Sequence, residues 1–88
     1  MIYSVTYDLD KPGQDYSGLI ADIKALGSSW AHPSGSHWLV KTSMDASGIF
    51  SRLKLHLDQN DRILINRFDR GDFTGWLPQD IWNWIGTD

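Results

Sequence analysis

The first eight residues, Met1-Ile2-Tyr3-Ser4-Val5-Thr6-Tyr7-Asp8, constrain the fold more than any other stretch. Their alternation has a period of two, which is the period of a strand with one buried face. Tyr3, Val5 and Tyr7 take one side, and Ser4, Thr6 and Asp8 take the other. Half of the strand is therefore made for a core and half for a polar neighbour. The strand ends in a carboxylate, after which Leu9-Asp10-Lys11-Pro12-Gly13-Gln14 brings the Pro and Gly of a loop.

A helix follows. Asp15 stands at a cap position, and Tyr16, Leu19, Ile20, Ile23 and Leu26 draw one apolar stripe that Gly27 ends as a left-handed stop. Ser28 to His32 and Ser36 to Thr42 flank the turn Pro33-Ser34-Gly35 and read as a hairpin. Thr42, Ser43 and Asp45 supply a capping signal for a second helix with the stripe Ile49, Phe50, Leu53 and Leu57. After the turn Asp58-Gln59-Asn60-Asp61, the run Arg62 to Phe68 is rich in β-branched residues and predicts a strand. The order β-α-β-β-α-β predicts an α+β, ferredoxin-like (split βαβ) domain: a four-stranded antiparallel sheet with both helices on one face and the other face open.

On this reading residues 1–68 are the core and 69–88 a C-terminal extension of the same domain. Pro78 suits the first turn of a short helix there. Ile81, Trp82, Trp84 and Ile85 spread around more than one side of that helix, so packing on the chain's own sheet would leave aromatic surface in water. Trp76, Trp82, Trp84 and Ile85 are accordingly expected at an interface with a second chain.

At 88 residues the chain is one domain. No apolar run approaches the roughly 20 residues that span a bilayer, so no membrane partner is expected. Nor does a basic segment followed by an apolar one open the chain, and a cytoplasmic location is expected. The absence of cysteine excludes disulfides, thiolate zinc sites and cysteine nucleophiles. A net charge of −3 counts against broad nucleic-acid binding, which needs Lys and Arg to replace phosphate counterions. All eleven acidic residues are Asp, a residue that favours caps and turns, so each carboxylate has a structural duty to be weighed first.

Few residues carry chemistry. Asp8, at a strand end, either caps the following loop or acts as a ligand. Lys11 lies beside it, and Arg62, Arg67 and Arg70 surround the last strand as a modest basic rim or a solvated surface. His32 and His37 bracket the hairpin turn, yet two imidazoles fall short of the three or four protein ligands zinc takes, and His56 has no spacing motif to join them. The five tryptophans either stack on unpaired bases or fill core and interface.

Several segments together resemble a known family: Tyr7-Asp8 ending the first strand, Ala25-Leu26-Gly27, Ser28-Ser29-Trp30, Trp38-Leu39-Val40-Lys41-Thr42 and Leu57-Asp58-Gln59-Asn60-Asp61. It is the ferredoxin-like family that includes the small dimeric CRISPR-associated spacer-acquisition protein, which is endoribonuclease-like. Gly75-Trp76-Leu77-Pro78 and Trp82-Asn83-Trp84 are similar to its SinR-like branch. The resemblance implies a homodimer closed through the two sheets, with Asp8 meeting its symmetry mate. Asp8 would then be the catalytic residue and the ligand of Mg2+ or Mn2+ in a metal-dependent phosphodiesterase, with Lys11 and Arg67 as contacts to a nucleic acid. The competing expectation is a non-catalytic dimeric module that holds another protein, in a mobile-element, toxin-antitoxin or phage-defence setting. An endoribonuclease toxin resembling the virulence-associated D family shares the Asp8 expectation.

Overall fold

Tyr3, Val5 and Tyr7 hold β1 (Ile2–Asp8) inside a four-stranded antiparallel sheet. The computed structural model describes residues 1–10, 16–68 and 71–87. After β1 come α1 (Ser17–Lys24), β2 (Ser29–Ser34), β3 (His37–Lys41), α2 (Ala46–Leu53) continued by a 3-10 turn, β4 (Arg62–Arg67) and α3 (Gln79–Gly86). The strands lie in the order β2-β3-β1-β4. Val5 faces Trp38 of β3 on one side and Ile65 of β4 on the other. Antiparallel pairing throughout makes β1 parallel to β2 and β3 parallel to β4, so each of the first two helices crosses over one intervening strand. Among the described residues no helix is long and apolar enough to cross a membrane.

Both crossover helices cover the odd-numbered face of β1. Leu19 and Ile23 of α1 and Ile49 and Leu53 of α2 close over Tyr3, Val5, Tyr7, Trp38 and Val40. The buried Trp38 indole N–H donates to the Tyr7 hydroxyl at 2.9 Å, so neither polar group is stranded. Asp45 caps α2 by accepting the Gly48 N–H at 2.8 Å. Thr42, grouped with Asp45 in the capping signal, does a different job. Its hydroxyl donates to the Leu26 carbonyl at 2.8 Å and accepts the Met44 N–H at 3.0 Å, stitching the end of β3 to the segment after α1.

Gly27 is also needed for a different reason from the one its position suggests. Helix α1 stops at Lys24 with Ala25 as its cap, and Gly75 is the sole described glycine at positive φ. What Gly27 provides is closeness: a Cβ there would lie 1.8 Å from the Lys41 carbonyl oxygen, which accepts the Ser28 N–H at 2.9 Å. Asp15, the expected cap of this helix, lies outside the described residues.

The second sheet face is not left open along its whole length. Ile81 and Ile85, one helical turn apart on α3, bury themselves with Ile2, Ala31 and Leu39 in a second core cluster. Ile2 begins the even-numbered side of β1, and Leu39 is its apolar counterpart on β3. One end of a face that is polar at Ser4, Thr6 and Asp8 therefore attracts the tail of its own chain.

On the helix side, Asp22 of α1 accepts a 2.6 Å hydrogen bond from His56, with the Arg52 guanidinium 3.6 Å away. The bond from His56, and after it the charge of Arg52, hold the Asp22 carboxyl below the ordinary aspartate value of 3.8. A pKa lower in the folded than in the unfolded chain stabilises the fold above the unfolded value and is lost as pH falls through the folded one. Asp22→Asn is therefore expected to flatten the acid limb of stability against pH, measured by urea melts between about pH 2 and 5. An acid limb identical to that of the parent would remove this role.

Candidate interaction face

The residues proposed from sequence for phosphodiester chemistry are not gathered in one place. Asp8 stands exposed at the end of β1, opposite Arg62, whereas Arg67 pairs with Tyr3 at the other end of the ladder. An offset of five along the strand separates the two arginines, roughly 16 Å, and being odd it puts their side chains on opposite faces. The Arg67 guanidinium rests against the Met1 sulfur. Lys11 lies outside the described residues.

The Mg2+ or Mn2+ site expected at Asp8 is not borne out. Among the described residues no group of three or more His, Cys, Asp or Glu side chains is placed to hold a metal ion. Strand pairing brings an arginine, not a second acid, across from Asp8. The nearby Asp61 carboxylate is occupied by main-chain donors, accepting the Asp10 N–H at 2.8 Å and the Asp58 N–H at 3.1 Å.

The hairpin histidines part company. His32 stacks on Trp38, with ring centroids 3.7 Å apart, and its Nε2 lies 3.2 Å from the Gly35 carbonyl. His37 turns to the second face, where one 2.7 Å hydrogen bond joins its Nε2 to the Ser4 hydroxyl. Burial, and then the nearby His32, push the His37 pKa below its ordinary 6.5, which keeps the ring neutral at pH 7.

His37 opens onto the most distinctive surface of the molecule. Between the sheet and the segment leading to α3 lies a groove of about 350 Å³, bordered by Pro33, Leu39, Phe73, Trp76 and Trp82. That is near the lower end of ligand-sized sites, roughly 300–1,000 Å³. Phe73 packs 4.5 Å from Phe68 and 6.1 Å from Trp82, centroid to centroid, so one wall is a stack of rings. No Asp, Lys or Arg is among the described residues lining it.

The four expected interface residues fare differently around this groove. Trp76 is fully exposed on its rim, and Trp82 is half-buried in its wall. Trp84 is tied down, its indole N–H donating to the Ser29 hydroxyl at 3.1 Å while Lys41 lies 4.5 Å from its ring and donates to its carbonyl at 2.6 Å. Ile85 keeps only 4% of its surface exposed and belongs to the chain's own second cluster. Beyond the groove the face continues into Thr6 and its cross-strand partner Leu64, which is 65% exposed. Ser4, Leu39 and Phe73 carry no distinguishing motif in the sequence, and His37 stands out there only by its place beside the hairpin turn. Only the β1–β3 register and the return of the tail bring them together.

Among the described residues, the fold and this face define a mixed α+β protein with an open antiparallel sheet, three helices and an aromatic groove of uncharged lining on the side away from the crossover helices. No protein-family model, no curated protein and no solved structure matches the chain.

Proposed function

We propose that this chain is a non-catalytic, ferredoxin-like interaction module that works as a homodimer, with two copies meeting through the second sheet face. The observation that carries the proposal is the fully exposed indole of Trp76 on the rim of a groove whose described lining residues carry no charge. An exposed indole beside an apolar hollow is the kind of surface that marks a protein contact. Each copy has a net charge of −3, so the groove, where no described lining residue is charged, is where two copies approach with least repulsion. Two crossovers, each split by one strand and both helices on one face, support the ferredoxin-like reading. The resemblance of its segments to the family of the small dimeric CRISPR-associated spacer-acquisition protein favours the same arrangement. A nucleic-acid role draws no comparable support, because no Lys or Arg is among the described residues that line the groove.

Sedimentation over a concentration series is expected to give a particle of twice 10.0 kDa. Trp76→Ala is expected to weaken the dimer by ~2 kcal/mol, roughly thirty-fold in its dissociation constant. It should leave the thermal stability of the monomer unchanged, since the indole touches solvent rather than core. A single 10.0 kDa species at every concentration would refute the reading.

A further inference from the structure

On the basis of the sheet-face dimer proposed above, we infer that His37 makes that dimer acid-sensitive: a proton on its ring places a charge with no counter-ion inside the covered groove, and two copies part as pH falls from neutral to about 5.5. His37 is the one titratable side chain among the described residues that line the groove. Its ring is half-buried, and its Nε2 lies 2.7 Å from the hydroxyl of Ser4, a residue only 6% exposed. A hydroxyl satisfies a neutral ring by donating to that nitrogen or accepting from it, but it brings no charge to offset an imidazolium. A second copy seated on the groove takes away the water that the outer part of the ring still meets. Two-fold symmetry makes the second copy present the same lining, which holds no carboxylate among the described residues.

The groups packed around His37 leave such a charge uncompensated. From β1 come Ser4 and Thr6, and beyond them on the same face Asp8, which stands exposed at the strand end opposite Arg62 of β4. From β2 comes His32, stacked on Trp38 on the helix side, and it adds repulsion rather than a counter-charge. Along β3 the next charged side chain on this face is Lys41, which is tied to the Trp84 carbonyl. The tail contributes Phe73 to Leu77 and Trp82, none of them titratable near neutral pH, while Asp72 and Asp80 are exposed and do not line the groove.

Burial, and then His32, already hold the His37 ring below its ordinary 6.5 in the single chain, and covering the groove adds to the first of these. The dimer therefore holds fewer protons than two free copies, so its dissociation constant rises as pH falls through the value of the free copy. General electrostatics pulls the other way. Protonating all three histidines takes the net charge from −3 to zero, which by itself draws copies together. A dimer that weakens in acid thus reports a local cause. His56, held by Asp22 on the helix side, lies away from this face.

Sedimentation equilibrium of the full chain at about pH 7.5 and about pH 5.5 tests this, in a window where carboxylates stay ionised. The dissociation constant is expected to rise about tenfold at the lower pH, with the far-UV circular dichroism unchanged. In His37→Gln, which keeps an amide to meet Ser4 but cannot take a proton, the constant should be the same at both pH values. In His32→Gln the rise should persist. Ring-proton NMR of the parent gives a reading free of substitution: the His37 titration midpoint should move to lower pH as protein concentration rises. A dimer whose constant is unchanged or smaller in acid, a rise that persists in His37→Gln, or a midpoint independent of concentration would overturn the inference and leave the dimer standing. A single 10.0 kDa species at both pH values refutes the dimer and the acid switch with it.

Discussion

Gly27→Ala is expected to be among the most damaging single substitutions in the chain, costing about 3 kcal/mol or more of folding free energy. The added methyl carbon would sit 1.8 Å from the Lys41 carbonyl oxygen and 2.7 Å from its carbon, with main-chain Thr42 Cα at 2.8 Å. No flexible side chain can swing aside, because all three of these atoms are backbone. Relief requires moving the end of β3 or the turn after α1, and either motion breaks the Ser28 N–H bond to Lys41 and the Thr42 bond to Leu26. Chemical denaturation of parent and variant checks this. A loss under about 1 kcal/mol would mean that the two segments separate far more easily than their hydrogen bonds imply.

The second large effect is expected from Ile85→Ala, which removes a buried side chain from the cluster holding α3 to the sheet. Truncating a buried isoleucine costs roughly 2–5 kcal/mol in general, and about 2 to 3 kcal/mol is expected in this small second cluster. The loss should appear in the monomer and at any protein concentration, with faster amide exchange throughout α3. Had Ile85 faced a second chain instead, the same substitution would weaken association and spare the monomer. Ile85→Ala and Trp76→Ala together thus separate the half of the tail that belongs to the fold from the half that reaches beyond it.

Much of this architecture can be read from spacing. The alternation of Tyr3, Val5 and Tyr7 finds its buried face, and Leu19 with Ile23 and Ile49 with Leu53 become the inner stripes of α1 and α2. Asp45 caps where its position predicts. What spacing misses depends on partners distant in the chain. Ile81 and Ile85 are a clean turn apart, but Trp82 and Trp84 blur the stripe, and the apolar Ile2 that receives it hides at the start of an otherwise polar strand face. The joining of Ser4 and His37 rests on a register in which Thr6 lies opposite His37 and Ser4 opposite Leu39. Pairing decides the outcome at Asp8 as well, because the residue brought across from it is Arg62. Phe50 fits its helical stripe by spacing yet looks out over a cleft, since periodicity records direction around an axis and not whether the neighbouring strand extends far enough to cover it.

The position of β1 also determines when the molecule can assemble. Strand β1 needs neighbours on both flanks, and the later of them to be synthesised, β4, begins only at Arg62. Ties across so much intervening chain slow the search for the native state, and synthesis proceeds at about 5–20 residues per second. For the seconds before β4 appears, the nascent chain holds a strand whose second flank is bare, and chaperone demand should peak in that interval.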